Sequence, residues 1–152
     1  MKIALAADDA GRLLKDAIKK HVEEAGYETV DFGLYEENRA ADYPDYALPA
    51  SEAVARGECD FGILVCGTGI GMSICANKVR GVRCAHASDC FSAEATRLHN
   101  DANMLALGAR VIGEGLAFKI VDIFLSTPYS GAERHTRRIN KISAIETGYS
   151  GT

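Results

Sequence analysis

The stretch from Phe61 to Lys78 constrains the fold most strongly, because it reads as a buried strand, a glycine-rich turn and a helix in direct succession. The apolar run from Ile63 to Val65 is too short for an ordinary helix and suits a strand buried on both faces of a parallel sheet. Three glycines at alternate positions follow Cys66. This pattern predicts main-chain N–H groups that face an anion at a helix N-terminus, with a thiol beside them.

The glycine turn matches neither of two common phosphate-binding motifs. A dinucleotide fingerprint, Gly-x-Gly-x-x-Gly, would need glycine where Met72 stands and would follow the first strand rather than the third. A P-loop would end in Gly-Lys-Ser/Thr, whereas Lys78 is not preceded by glycine. Taken alone, the turn is explained equally simply as a tight α/β connection with a small buried cysteine.

Strand-like and helix-like segments alternate along the chain. Strands are predicted over Lys2–Ala7, Tyr27–Phe32, from Phe61, over Val82–Ala87 and over Met104–Leu107. Helices are predicted from Gly11 to Gly26, over Asp45–Arg56, after the glycine turn, from an Asp89 N-cap to Leu98, over Gly113–Ser126 and over Glu133–Glu146. Right-handed crossovers place such helices on both faces of a parallel sheet. We therefore predict one α/β domain, residues 1–146, as a three-layer α/β/α sandwich with a five-stranded parallel Rossmann-like sheet, and a flexible tail, residues 147–152.

Composition narrows the class of partner. The 152 residues suit one domain, and a net charge of −4 argues against a general affinity for nucleic acid or anionic membranes. No apolar run reaches the roughly 20 residues of a membrane span, and Met1-Lys2 leads directly into a strand, so we expect a cytoplasmic protein. The five cysteines have no zinc-like spacing, so we expect neither disulfides nor a metal. Cys84 and His86 share a strand face but fit an ordinary core cysteine beside a strand-end histidine.

A second polar cluster runs from His99 to Asn103, after the fourth helix. Alone, it is typical of a C-terminal helix cap. A helix-to-strand loop lies at the amino edge of a parallel sheet, whereas the Cys66 turn lies at the carboxyl edge, so one subunit should not bring them together. If both belong to one site, an isologous dimer is required. Arg110 and the i, i+4 pair Arg134 and Arg138 are candidate phosphate ligands, although a solvated basic face remains open for this helix.

These residues together resemble the type B ribose-5-phosphate isomerases of the ribose/galactose isomerase family. The resemblance covers residues 1 to 146 and rests on an ordered combination of motifs: Cys66-Gly-Thr-Gly-Ile-Gly, Ala76-Asn77-Lys78, His99-Asn100-Asp101-Ala102-Asn103, Gly108-Ala109-Arg110-Val111-Ile112-Gly113 and Arg134-His135. It implies a cofactor-free aldose–ketose isomerase that acts on a sugar phosphate. It also implies dimers, or tetramers built from them, whose active sites draw on two subunits.

The resemblance also implies a role for each matched residue. Cys66 would move a proton between C2 and C1 of the open-chain sugar, and His99 would open the sugar ring. The remaining matched residues would hold the enediolate oxygen (Thr68 and the turn Gly67, Gly69, Ile70 and Gly71), the sugar hydroxyls (Asp8, Tyr43 and Asn100) and the phosphate (Arg110, Arg134 and Arg138). Met72 stands where another branch of the family carries a glutamate base, so the chain resembles the cysteine-based branch.

Two departures concern the phosphate end of the site. Asp9 stands where the family commonly has a phosphate-binding histidine, and the segment before Arg134 is one residue longer than usual. A carboxylate about 4 Å from a phosphate charge costs roughly 4 kcal/mol at an effective dielectric near 20. Asp9 therefore points away, pairs with an arginine, or contacts a hydroxyl of a different substrate. The alternatives to ribose 5-phosphate are allose or galactose 6-phosphate, a tetrose phosphate, or no reaction at all in a phosphate- or nucleotide-binding module.

Overall fold

The computed structural model describes residues 1–35 and 41–148, which form five strands and six helices. The strands are β1 (Lys2–Ala7), β2 (Glu28–Asp31), β3 (Phe61–Cys66), β4 (Cys84–His86) and β5 (Met104–Gly108). The helices are α1 (Arg12–Glu24), α2 (Tyr43–Ala55), α3 (Ile70–Ala76), α4 (Cys90–Asn100), α5 (Glu114–Ser126) and α6 (Glu133–Gly148). All strand pairs are parallel, in the order β2-β1-β3-β5-β4. The predicted five-stranded parallel sheet is confirmed.

The sheet separates two apolar layers because successive side chains of a strand point to opposite faces. One face packs against α1, α4 and α5 through a cluster that includes Ile3, Ile63, Leu105, Ile18 and Phe124. The other face packs against α2 and α3 through a cluster rich in alanine and sulfur side chains, among them Ala4, Ala50, Cys66, Met72 and Met104. The central strands are buried on both sides, which explains their continuous apolar runs.

Several predicted boundaries shift by one or two residues. Helix α2 begins at Tyr43 rather than Asp45, because Pro44 is compatible with the first helical turn. Strand β4 is shorter than predicted, since the Asn103 side chain accepts the hydrogen bond of the Arg83 N–H at 2.8 Å. The Asp89 N-cap is confirmed, because its Oδ1 accepts from the Ser92 N–H at 2.7 Å.

Two helices extend beyond their predicted ends. Helix α4 continues to Asn100 and is capped by Asp101 in the left-handed conformation, with φ 45°. His99 and Asn100 therefore occupy the last helical turn rather than a loop. Helix α6 includes residues 147 and 148, the first two of the predicted tail, while residues 149–152 lie outside the described part of the chain.

A buried lysine ties α1 to the end of β2. Lys15 is fully buried, and its Nζ lies 2.8 and 2.7 Å from the two carboxylate oxygens of Asp31. It also donates to the Leu34 carbonyl at 3.2 Å. A buried charge requires such partners, so the ion pair fixes where the chain leaves β2 at the carboxyl edge of the sheet.

Candidate active site

A pocket of about 370 Å³ opens at the carboxyl edge of the sheet. It is lined by Asp8, Asp9, Ala10, Tyr43, Cys66, Gly67, Thr68, Gly71 and Arg110. These residues follow β1, β3 and β5 or begin α2, so parallel topology alone brings them to one crevice. Eight of the residues singled out from the sequence line this pocket, together with Ala10.

The glycine turn after β3 is fixed by the segment that follows β5. The Ala109 N–H donates to the Cys66 carbonyl at 2.8 Å, and the Arg110 N–H donates to the Gly67 carbonyl at 3.0 Å. Gly69 caps α3 with φ 83°. A Cβ there would lie 2.9 Å from the backbone carbonyl carbon of Leu107, so both conformation and space require glycine.

The Cys66 thiol is directed into the turn. Its side chain is nearly buried, and its Sγ accepts the Gly69 N–H at 3.0 Å. The next N–H, that of Ile70, donates to Thr68 Oγ1 at 3.3 Å. The sulfur thus lies beside the start of α3 and accepts one hydrogen bond from its own turn.

Two carboxylates and one guanidinium set the charge of the pocket wall. Asp8 Oδ1 accepts the Gly11 N–H at 3.0 Å. Burial raises the pKa of Asp8 above its usual value, and the neighbouring Asp9 charge acts in the same direction. The Gly11 and Ala10 N–H groups and the Arg110 charge oppose that rise in pKa. The pocket thus holds a carboxyl group that is easier to protonate than an exposed aspartate.

Tyr43 closes one side of the pocket against α3. A Cβ on Gly71 would lie 2.9 Å from Cζ of the Tyr43 ring, so the absence of a side chain at 71 makes room for the ring. Because Tyr43 is the first residue of α2, its position is set by a helix rather than by a loop. Its hydroxyl-bearing ring lies on the pocket wall beside Gly71.

The other predicted site residues form a separate cluster between α4 and α6. The His99 and His135 rings stack with centroids 4.4 Å apart, and Arg134 Nε lies 3.2 Å from His135 Nε2. Burial lowers the pKa of His135, and the charges of His99, Arg134 and Arg138 lower it further. Asn100 lies in the same helical turn as His99. None of these side chains lines the Cys66 pocket.

The sheet separates the two clusters within one chain. Met104, where the chain enters β5 after α4, pairs with Gly62, whereas Gly108 at the other end of β5 pairs with Cys66. Four residue steps of a parallel strand span about 13 Å. A single chain therefore presents Cys66 at the carboxyl edge and His99 at the amino edge, as the element order predicted.

The sequence did not single out His86 as part of the site. Its Nε2 lies 2.8 Å from the Thr68 carbonyl oxygen, at the back of the glycine turn. The only signal was its place at the end of a strand, because the position of β5 between β3 and β4 cannot be read from the order of the elements. Within the described ranges, no three His, Cys, Asp or Glu side chains are grouped to hold a metal, and no helix is long and apolar enough to span a membrane.

Comparison with known proteins places this geometry in a family. The model of the ribose/galactose isomerase family matches residues 3–142. Ribose-5-phosphate isomerase B of Escherichia coli is 48% identical over 145 residues, which covers 95% of this chain and 96% of that protein. The Clostridium thermocellum ribose-5-phosphate isomerase B structure has a TM-score of 0.96 at 49% identity and covers 99% of this chain and 100% of its own.

A second solved structure of a similar protein is described with a bound sugar phosphate. Ribose-5-phosphate isomerase B of Mycoplasma genitalium, described with bound ribulose-5-phosphate, has a TM-score of 0.92 at 38% identity, and 96% of each chain is covered. The family match spans nearly all of the domain, and these relatives cover 95 to 99% of this chain. This chain belongs to the ribose/galactose isomerase family.

Proposed function

We propose that this protein interconverts ribose 5-phosphate and ribulose 5-phosphate and that Cys66 is the base. The observation that carries the proposal is a thiol inside the carboxyl-edge pocket that accepts an N–H hydrogen bond from its own glycine turn at 3.0 Å. The relatives named as ribose-5-phosphate isomerase B support the choice of substrate. A pocket of about 370 Å³ also lies within the usual range for small-molecule sites.

The proposed chemistry is a proton transfer through a cis-enediolate. The Cys66 thiolate removes the C2 proton of the open-chain aldose, the electron pair of that bond forms the C1=C2 double bond, and the C1 carbonyl oxygen takes the charge. The thiol then delivers a proton to C1 while the O2 hydroxyl loses its proton and O1 gains one. The net change moves one hydrogen from C2 to C1 and one from O2 to O1, so no external oxidant is needed.

The glycine turn supplies the groups that stabilise the enediolate. The first N–H groups of α3 have no acceptor within their own helix. That of Ile70 donates to Thr68 Oγ1, whereas Gly71 lies in the pocket wall. Together with the Thr68 hydroxyl, the Gly71 N–H would face the substrate oxygens on which negative charge develops. Donors aimed at developing charge contribute more to catalysis than donors that contact the ground state.

The second half of the proposed site comes from another copy of the chain. His99 would open the sugar ring, Asn100 would position the hydroxyls, and Arg134 and Arg138 would bind the phosphate with Arg110 of the first copy. The stack of His99 on His135 and the contact of Arg134 with His135 support their action as one unit. A twofold dimer that pairs each His99 cluster with a Cys66 pocket yields two complete sites.

Substitution of Cys66 tests the base directly. In Cys66→Ala we expect loss of at least about 100-fold in turnover, because a general base contributes roughly 100- to 10,000-fold. Deuterium transfer from solvent to C1, followed by NMR, should fall in parallel. Cys75→Ala, a half-buried cysteine of α3 outside the pocket wall, is the matched control and should behave as wild type. Normal turnover in Cys66→Ala would refute the assignment.

A mixture of two impaired variants tests the shared site. Random exchange of Cys66→Ala and His99→Ala chains in equal amounts gives half heterodimers, each with one site that contains both native residues. Activity on cyclic ribose 5-phosphate should therefore rise to about a quarter of wild type. No gain after confirmed subunit exchange, or an active protein whose measured mass is that of one chain, would show that one chain is sufficient.

Asp9 favours a second candidate substrate. Its carboxylate lines the pocket beside Asp8 and raises the pKa of that group by charge repulsion, so it also disfavours a phosphate nearby. A substrate that places a hydroxyl there, such as allose or galactose 6-phosphate or a tetrose phosphate, would accommodate it. Ribose, allose, galactose and erythrose phosphates should be compared with wild type and Asp9→His. A gain of ribose 5-phosphate activity in Asp9→His would identify Asp9 as a specificity residue, and a loss would support ribose 5-phosphate as the native substrate.

A further inference from the structure

One peptide group links His86 to Cys66. The carbonyl oxygen of the Thr68–Gly69 peptide lies 2.8 Å from His86 Nε2, and the N–H of the same peptide donates to Cys66 Sγ at 3.0 Å. Rotation of this peptide plane would break both contacts at once. The orientation of the donor to Cys66 is therefore held from its opposite end by His86.

Glycines clear the space through which His86 reaches the turn. His86 ends β4, which is separated from β3 by β5, so the two strands lie about 10 Å apart. A Cβ on Gly108, at the end of β5, would lie 2.6 Å from the Thr68 carbonyl oxygen. A Cβ on Gly69 would lie 2.7 Å from Cδ2 of the His86 ring. The turn therefore crosses β5 at Gly108, which has no side chain, and contacts the imidazole of His86.

The contact also requires a proton on one particular ring nitrogen of the imidazole. A carbonyl oxygen can only accept, so the hydrogen bond requires a proton on Nε2 of His86. A donor at the carbonyl polarises the amide, and this makes the Gly69 N–H a stronger donor to the sulfur. Both effects strengthen the hydrogen bond from the Gly69 N–H to the Cys66 sulfur and hold it in one orientation.

We propose that His86 is a positioning residue that acts on Cys66 through the Thr68–Gly69 peptide. It does not line the pocket, so its effect reaches the substrate only through the turn. The inference rests on the proposed function because it takes Cys66 as the base. His86 is thus expected to influence the rate of the proton transfer rather than the affinity for the sugar phosphate.

Two substitutions separate the hydrogen bond from the space that the ring fills. His86→Phe keeps a ring of similar size and removes the donor, whereas His86→Gln keeps an N–H near the position of Nε2. We expect kcat to fall about three- to tenfold in His86→Phe with KM nearly unchanged, as for the loss of one hydrogen bond. His86→Gln should recover most of that loss. His21→Phe, on a distant histidine that contacts Phe118 and Asp122, is the matched control and should retain wild-type kinetics.

Alkylation of the cysteine gives a second readout that needs no substrate. The rate of Cys66 modification by iodoacetamide, resolved by peptide mass spectrometry, should fall in His86→Phe by a factor similar to that in kcat and recover in His86→Gln. Unchanged kcat and alkylation in His86→Phe would overturn the proposal, as would equal losses in the Phe and Gln variants, which would indicate packing alone. If Cys66→Ala is active, the base assignment fails; if it is inactive and His86→Phe is normal, only this inference fails.

Discussion

Replacement of Gly69 by alanine should be among the most damaging single-methyl changes in this protein. Two costs apply there. Gly69 has φ 83°, and the left-handed region costs a residue with a Cβ about 1–2 kcal/mol. The added Cβ would also lie 2.9 Å from the Leu107 carbonyl carbon in a buried strand, which cannot move as a side chain can. Overpacking of this kind costs about 1–3 kcal/mol, so the total is about 2–5 kcal/mol.

The other glycines supply controls that separate the two costs. Gly26 has φ 89° but no atom within 4 Å of an added Cβ, so Gly26→Ala should show the conformational cost alone. Gly113 has an ordinary φ of −80° and equally open space, so Gly113→Ala should carry neither of these two costs and only the loss of a preferred N-cap residue. The free energy of unfolding is measured in urea at one protein concentration for all three variants. If Gly69→Ala lost no more stability than Gly26→Ala, the steric argument for the turn would be wrong.

Three further predictions concern buried charges. Asp8→Asn keeps an oxygen for the Gly11 N–H. Because the folded-state pKa of Asp8 is raised, the ionised carboxylate destabilises the fold, so the variant should be more stable than wild type at pH 7. Urea unfolding at several pH values should show that this advantage shrinks as the pH falls through the raised pKa and is gone below the unfolded-state value of about 3.9. Because the pKa of His135 is lowered in the folded state, the unfolded chain binds more protons at acidic pH, and the free energy of unfolding should fall as the pH drops below about 6.5. The difference between the free energies of unfolding at pH 5 and pH 8 should be smaller in His135→Phe than in wild type. Lys15→Met leaves Asp31 without its main partner and should lower the free energy of unfolding in urea by about 3–5 kcal/mol, with partial recovery in Lys15→Met/Asp31→Leu. An unchanged free energy of unfolding in Lys15→Met would contradict a stabilising role of the buried ion pair.

The order of elements was readable from the sequence because apolar strands alternate with amphipathic helices. The Cys66 turn and the Asp8 loop could be placed at one edge for the same reason, since both follow parallel strands. Element ends were less accurate. Pro44 and Asp101 moved two helix ends outward through local backbone preferences that the apolar pattern does not contain.

The contact of His86 with the turn could not be predicted, because it depends on strand order. Two strands that are neighbours in the sequence need not be neighbours in the sheet, and β4 lies beyond β5. The stack of His99 on His135 was hidden for a similar reason, since it joins the end of α4 to the start of α6. Both contacts are set by tertiary packing rather than by local pattern.

Gly108 has a consequence for how this chain can change during evolution. It contributes no side chain to the pocket, yet even an alanine there would place its Cβ 2.6 Å from the Thr68 carbonyl oxygen and displace that peptide. A mutational scan should therefore find position 108 as intolerant as the residues of the pocket wall. Amino-acid substitutions at the end of β5 are therefore coupled to substitutions in the turn after β3. A family member with a side chain at this position would need a differently shaped turn.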